Sequence, residues 1–130
     1  MLPGDTTTRR RVIAWLTCAC VAAGWLAAGC GQTRTVGADR TLRVALSEYR
    51  LNPESARTTP GVVAILVHNY GRLTHNLVVS ENGQTIGSTK PMAPGQSAEL
   101  DLNLAAGSYL MTSTILSDQA LGTYGTLTVR

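Results

Sequence analysis

The chain has no phenylalanine, and it has no tryptophan beyond its first 29 residues, because both Trp15 and Trp25 lie there. Its three cysteines are Cys18, Cys20 and Cys30, so none follows position 30. A disulfide framework in the rest of the chain is therefore excluded, even in an oxidising compartment. We expect aliphatic side chains and the four tyrosines to fill the core.

Positive and negative side chains are nearly balanced once the N-terminus is set aside. The full sequence has a formal net charge of +3. From residue 30 onward there are eight Arg and Lys residues and seven Asp and Glu residues, a net of +1. This balance gives no electrostatic case for binding nucleic acid, and we expect no nucleic-acid partner. The sequence also has no glycine-rich phosphate loop and no pair of histidines at metal spacing, so we expect no enzyme and no catalytic residues.

The first 29 residues have the pattern of an export signal. Three arginines (9–11) form a positive region, and residues 12–28 form an uncharged apolar run. Residues 8–13 (TRRRVI) also fit a twin-arginine signal, although an ordinary signal peptide can carry paired arginines, so the export route stays open.

The end of this segment indicates how the protein is attached to the membrane. Residues 26–30 (LAAGC) resemble a bacterial lipobox, which implies that Cys30 is lipidated and becomes the first residue of the mature protein. The alternative is an uncleaved anchor, since the apolar run of about 17 residues is near the lower limit for a spanning helix. Both interpretations place the rest of the chain outside the cytoplasm, and the first predicts the outer face of the cytoplasmic membrane.

The mature chain divides into a short tether and one domain. Residues 30–40 are polar and contain glycine, which is typical of a linker. Residues 41–130 are enough for one small domain but not for two.

The domain pattern predicts an all-β fold. Residues 41–51 alternate, with Leu42, Val44 and Leu46 on one face, whereas the apolar run 62–67 suits a strand that is covered on both faces. Turn-forming residues separate about seven short strands, a spacing that favours a Greek-key β-sandwich. The remaining strands are expected at 76–80, 96–104, 109–114 and 125–129.

The motifs of the domain resemble those of the blue-copper (cupredoxin) family. Residues 44–53 (VALSEYRLNP) look like its first strand, and residues 67–76 (VHNYGRLTHN) match V-x-N-x-G-x-x-x-H-N. Residues 107–129 resemble its final hairpin, G-x-Y-x-x-x-C-x-x-P-G-H-x-x-x-G-M-x-G-x-L-x-V. The matches follow one another in order from Val44 to Val129 and imply a cupredoxin-like sandwich.

The same resemblance implies that most of the copper ligands are missing. His75 stands at the first ligand position, but the cysteine position holds Ser113, the histidine position holds Asp118 and the methionine position holds Thr123. A blue-copper site needs two imidazoles, a thiolate and a weak axial thioether. We therefore expect no copper cofactor.

Two other functions of these residues, divalent-metal binding and catalysis, have less support in the sequence. His75 and Asp118 could hold a labile divalent ion, but structural zinc takes four protein ligands and catalytic zinc three. Strand alternation sends His68 and Asn69 to opposite faces, so His68 is expected to lie at a strand end and not to be a ligand. Ser113, His75 and Asp118 are the residue types of a catalytic triad, yet Ser113 lacks the glycines of a nucleophile elbow.

The sequence thus predicts an exported lipoprotein with a non-catalytic binding or assembly role in the cell envelope. We expect membrane lipid to be contacted through Cys30 and a protein partner through the end that carries Tyr124. The alternative is a protein that handles copper or another divalent metal weakly through His75 and Asp118. An electron-transfer cupredoxin is the third hypothesis.

Overall fold

The computed structural model of the chain describes residues 31–116 and 118–130. The expected signal peptide (1–29) and Cys30 lie outside the described residues, as does Ser117. Within the described ranges, no helix is both long enough and apolar enough to span a bilayer.

Ten β-strands run through the described residues. They are β1 (Thr33–Thr35), β2 (Thr41–Ser47), β3 (Arg50–Asn52), β4 (Ser55–Thr58), β5 (Gly61–Asn69), β6 (Val78–Glu81), β7 (Gln84–Ser88), β8 (Ser97–Leu104), β9 (Gly107–Thr112) and β10 (Tyr124–Val129).

The strands form two sheets that pack face to face. One has the order β1-β4-β10-β9-β6-β7 and the other the order β3-β2-β5-β8. The prediction of an all-β sandwich is confirmed, but the described residues hold more strands than the seven expected. The strands without an expected range of their own, β1, β3, β4 and β7, have three to five residues each, which is too short for hydrophobic alternation to reveal them.

The core lies between the sheets and follows the predicted alternation on β2. Leu42, Val44 and Leu46 are at most 2% exposed. The expected single strand 41–51 is instead a hairpin, because the chain turns at Tyr49, whose φ of 61° lies in the left-handed region.

Two expectations about the core are wrong. Only Tyr109 among the tyrosines is buried, while Tyr49, Tyr70 and Tyr124 are each more than half exposed. Strand β5 is covered fully on one face only: Val63, Ile65 and Val67 are buried, whereas Val62 is 59% exposed. One apolar run therefore supplies both a core face and an outer surface of its sheet.

The segment expected to be a tether contributes to the fold. Strand β1 pairs in parallel with β4, and the Val36 N–H donates to the carbonyl oxygen of Arg57 at 2.8 Å. Val36 also packs against the core. Of the described residues, only Gly31 and Gln32 precede this sheet edge.

Four connections meet at one end of the sandwich, which we call the His75 end. They are residues 48–49, 70–77, 89–96 and 113–123. Strands β2 and β5 finish here, since they run parallel and Leu46 is level with Asn69. Strand β9 also finishes here and β10 begins, with Thr112 opposite Tyr124.

Candidate functional site

The His75 side chain is held by its backbone in the interior of the His75 end. Its N–H donates to the carbonyl oxygen of Met92 at 3.1 Å, and the Met92 N–H donates to the carbonyl oxygen of His75 at 2.8 Å. The residue is fully buried. This two-way bridge fixes where the imidazole can point.

Asp118 joins the two sides of the site through a single oxygen atom. Its Oδ2 lies 2.6 Å from His75 Nδ1 and accepts a hydrogen bond from Ser113 Oγ at 2.5 Å. Asp118 is 5% exposed, and His75 and Ser113 are fully buried. Because a buried carboxylate oxygen needs donors to offset its lost hydration, the two contacts compensate for the burial of Asp118 Oδ2.

Asn76 ties the loop after β9 to the segment that carries His75. The Asn76 backbone N–H donates to Ser113 Oγ at 3.3 Å, and the Asn76 side-chain oxygen accepts from the Thr114 N–H at 2.8 Å. The hydroxyl of Ser113 is thus an acceptor from Asn76 as well as a donor to Asp118.

Thr123 closes the loop through its backbone. Its N–H donates to the Asp118 carbonyl oxygen at 2.9 Å, and its own carbonyl oxygen accepts from the Ser113 N–H at 3.1 Å. The hydroxyl of Thr123 is buried and has no hydrogen-bond partner among the described residues. This side chain therefore takes no part in the network around Asp118.

Glu48 and Asn69 belong to the same site, although residue types alone did not single them out. Glu48 Oε1 lies 3.7 Å from His75 Nε2 and accepts hydrogen bonds from the backbone N–H groups of Arg72 and Leu73. The Asn69 amide donates to the carbonyl oxygens of Leu73 and Met92 at 2.8 and 2.9 Å. Glu48 lies in the motif 44–53 and Asn69 in the motif 67–76, and these motif positions were the feature of the sequence that could have identified them.

The charged form of Glu48 is stabilised by its surroundings. Hydrogen bonds from backbone N–H groups, first its own and then those of Arg72 and Leu73, lower the pKa of the Glu48 carboxyl below its ordinary value. The nearby His75 adds a smaller lowering of this pKa, and partial burial opposes it.

The remaining predicted residues lie away from this network. His68 is half-buried near the end of β5, with Nδ1 2.6 Å from Ser97 Oγ and its ring edge-on to Tyr70. Tyr124 begins β10 with its side chain 52% exposed. The structure therefore brings His75, Ser113 and Asp118 together, keeps Thr123 beside them and leaves His68 outside.

The donor chemistry of these residues does not fit a blue-copper centre. His75 supplies one imidazole, but Ser113 and Thr123 supply hydroxyls where soft sulfur is required. His75 Nδ1 faces Asp118 Oδ2, so the Nδ1 atom already has a hydrogen-bond partner. Across residues 31–116 and 118–130, no group of three or more His, Cys, Asp or Glu side chains is arranged to hold a metal ion.

The arrangement also differs from that of a catalytic triad. In a triad the histidine lies between the serine and the carboxylate and takes the serine proton. Here Asp118 lies in the middle, because Ser113 and His75 both contact its Oδ2. Ser113 is also fully buried, so its hydroxyl is not open to a substrate.

Comparisons with known proteins identify the fold. No family model matches the sequence, and a search of curated proteins finds no significant match. Among solved structures, reduced auracyanin from Roseiflexus castenholzii is similar with a TM-score of 0.65 and 20% identity, over 72% of this chain and 99% of auracyanin. Auracyanin A from Chloroflexus aurantiacus, described as a "blue" copper protein, is 16% identical with a TM-score of 0.61, over 74% of this chain and 99% of its own.

A third similar structure is rusticyanin from Thiobacillus ferrooxidans, with a TM-score of 0.61 and 14% identity over 75% of this chain and 82% of rusticyanin. These identities are low, so the likeness establishes the fold alone. The predicted cupredoxin-like sandwich is confirmed.

Proposed function

We propose that this chain is an exported, lipid-anchored cupredoxin-like protein that acts without copper, as a non-catalytic binding or assembly module in the cell envelope. The observation that carries the proposal is the contact of Asp118 Oδ2 with both His75 Nδ1 and Ser113 Oγ. These hydrogen bonds replace metal coordination as the interaction that holds the His75 end closed.

The stability of such a centre does not depend on a cation. Two donors face one carboxylate oxygen, and backbone bonds at Met92 and Thr123 fix the residues that supply it. These hydrogen bonds hold the two loops together, although His75 Nε2 is buried without a hydrogen-bond partner among the described residues. A domain end held in this way suits presentation of a surface, and it offers no sulfur donor for redox chemistry at copper.

The location follows from the sequence pattern at Cys30. Lipidation there would place the domain on the outer face of the cytoplasmic membrane, with a protein partner in the same compartment. The half-exposed ring of Tyr124 remains a candidate for contact with a partner.

One sample can test both the anchor and the absence of a metal. The full chain is expressed with its own signal in a bacterial host, and the protein is purified from the membrane fraction. Mass spectrometry of its N-terminal peptide and elemental analysis of the same sample are then compared. We expect a diacylglycerol-modified Cys30 and far less than one equivalent of any transition metal.

A metal titration tests the alternative function, which is weak binding of copper or another divalent metal through His75 and Asp118. We expect the purified protein to remain colourless with Cu(II) and to show no saturable Cu(II) or Zn(II) binding at micromolar metal. An Asp118→Ala variant, which removes one of the two candidate ligands, is the matched control and should give the same titration. Stoichiometric binding by the natural sequence that is lost in this variant would favour metal handling through His75 and Asp118. An unmodified Cys30 would contradict the proposed anchor.

A further inference from the structure

Exposed apolar side chains are concentrated at one end of the molecule. Of the eight large apolar side chains that are exposed in the described residues, two lie elsewhere, Val62 and Ile86. The other six form what we call the apolar end patch: Tyr49, Tyr70, Leu73, Leu116, Leu121 and Tyr124, all in the connections of the His75 end or directly next to them. Exposed apolar side chains concentrated at one end of a domain favour an interaction site there.

The most exposed member of the patch has no role in packing the domain. Leu116 is 86% exposed, and its φ of 55° lies in the left-handed region that leucine disfavours. Leu121 is 54% exposed in the same connection. The hydrogen bonds of Asp118 and Thr123 hold this connection against the domain, so its leucines are presented on a constrained loop.

The direction of β1 shows which end of the sandwich the described residues before it approach. Strand β1 is parallel to β4, and β4 is parallel to β10, so Thr33 is level with Ser55 and Ser55 with Thr126. Going back along the chain from Thr33 therefore leads toward the level of Tyr124. Gly31 and Gln32 line the same cleft as Arg50 and Glu54, and Arg50 directly follows Tyr49.

The connection between Cys30 and the folded domain is short. Three residue steps separate Cys30 from Thr33, which allows a reach of about 10 Å at most. Strands β1 and β10 are two strand spacings apart, or about 10 Å. A lipid attached to Cys30 would thus enter the bilayer beside the His75 end and leave the domain little freedom to turn its other end to the membrane.

We propose that the His75 end faces the membrane and that the apolar end patch enters the interfacial region of a phospholipid bilayer. This inference rests on the lipid attachment at Cys30 in the proposed function. It assigns Tyr124 to contact with lipid, so that a protein partner would bind the sides of the sandwich.

The chemistry of the patch suits a lipid surface. Tyrosine rings favour the boundary between headgroups and acyl chains, where the ring is in an apolar medium and the hydroxyl remains hydrated. Apolar side chains of interfacial segments enter that boundary by about 5–10 Å. The connections at this end also carry cations that can contact lipid phosphates, Arg72 and Lys90, with Arg50 at the start of β3.

Site-specific labelling measures the orientation. The lipidated full chain is purified as Tyr124→Cys and, as a matched control, as Val62→Cys, which labels an exposed apolar position at the other end of β5. Each variant carries a thiol-reactive fluorophore and is reconstituted into phosphatidylcholine vesicles with a nitroxide quencher on the acyl chains. The unsubstituted protein is treated with the same fluorophore, because a lipidated Cys30 cannot react with it.

We expect strong quenching at position 124 and little at position 62. Adding Leu116→Glu and Leu121→Glu to the Tyr124→Cys protein should reduce its quenching several-fold. In a chain expressed without signal and lipid, each of these two changes should weaken vesicle binding by about tenfold, or about 1.4 kcal/mol, because a leucine is no longer buried in the bilayer interface.

Other outcomes would overturn the orientation, and they can be separated from failure of the anchor. Equal quenching at both positions, or stronger quenching at 62, with an unreactive Cys30, would contradict the inference and leave the proposed anchor intact. Shielding at 124 in native membranes but not in pure lipid vesicles would show a protein on this surface and would also overturn it. A reactive Cys30 would refute the anchor and the orientation together.

Discussion

The imidazole Nδ1 of His75 and the carboxylate Oδ2 of Asp118 lie 2.6 Å apart, although 43 positions separate the two residues in the chain. Asp118 takes a second hydrogen bond from Ser113 through the same oxygen. These contacts join the connection before β6 to the connection before β10, and so bind together the two loops that form most of the His75 end. The fold resembles that of a protein described as a "blue" copper protein, and in this chain the end is closed by hydrogen bonds among its own side chains.

Removing the shared carboxylate should destabilise the domain. Asp118→Ala leaves His75 Nδ1 and Ser113 Oγ without their buried partner, and we expect a loss of about 3 kcal/mol in the free energy of unfolding. Asp118→Asn should cost less, because its amide oxygen can still accept one of the two hydrogen bonds. Denaturant titration measures both changes. Asp101→Ala, an exposed carboxylate on β8, is the control and should shift stability by about 0.5 kcal/mol or less.

The role of Glu48 should be visible in the pH dependence of stability. Backbone hydrogen bonds lower its pKa in the folded state below the ordinary value of 4.5, so its ionised form favours folding. This stabilisation is fully present above about pH 4.5 and is lost as the pH falls through the lower, folded-state pKa.

A glutamine at position 48 removes that dependence. We expect Glu48→Gln to be less stable than the natural sequence near neutral pH and to approach it in acid, as measured by denaturant titration across this range. Glu99→Gln, an exposed residue on β8, serves as the control. A stability difference between Glu48→Gln and the natural sequence that stays constant down to acid pH would contradict the assigned role.

Much of the fold could be predicted because its signals are local. The alternation of Leu42, Val44 and Leu46 fixed the inner face of β2, and turn residues separated most of the long strands. The short strands β1 and β4 could not be found this way, because they depend on pairing with distant parts of the chain. Strand β4 pairs with β10, and β1 pairs with β4. The prediction from composition that all four tyrosines fill the core was wrong, because an amphipathic ring is compatible with both core and surface and composition alone does not separate the two.

The candidate site was predictable as a set of positions but not as a geometry. The motifs placed His75, Ser113 and Asp118 at one end of the sandwich. They could not show that one oxygen of Asp118 would contact both other residues, because this depends on side-chain directions in two separate loops. The contribution of Glu48 also depends on a contact across the chain, since its oxygen accepts from the backbone of Arg72 and Leu73.

Two glycines around Tyr124 should be sensitive to a single added methyl group. A Cβ on Gly122 would lie 2.9 Å from the carbonyl oxygen of Tyr49, and φ there is 114°, which side chains rarely adopt. A Cβ on Gly125 would lie 2.8 Å from the carbonyl oxygen of Glu54. We expect Gly122→Ala and Gly125→Ala each to lower stability by about 1–3 kcal/mol, because backbone atoms have to move.

Thermal or denaturant unfolding measures the effect of these glycine changes. Gly31→Ala is the matched control, since a Cβ at Gly31 meets no atom within 4 Å. Unfolding of Gly125→Ala at the same midpoint as this control would show that β4 and β10 are less tightly packed than the structure indicates.

Copper ligands introduced at three positions should test the correspondence between this site and a blue-copper centre. Ser113→Cys, Asp118→His and Thr123→Met supply a thiolate, a second imidazole and a thioether beside His75, the donor set such a centre requires. The present geometry favours assembly, because His75 Nδ1 and Ser113 Oγ lie 2.6 and 2.5 Å from one common atom, Asp118 Oδ2. Metal–nitrogen and metal–sulfur bonds of about 2.0–2.3 Å span similar distances.

We expect the triple variant to bind one equivalent of Cu(II) and to turn intensely blue, measured by metal analysis and visible absorption. The matched control is the double variant Ser113→Cys with Thr123→Met, which keeps Asp118 and lacks the second imidazole, and it should not give the blue colour. Leu116 is left unchanged in both, because its φ of 55° is inaccessible to proline at that position. A triple variant that keeps the β-sheet circular dichroism of the parent but binds no copper would show that residues 113, 118 and 123 do not occupy ligand positions.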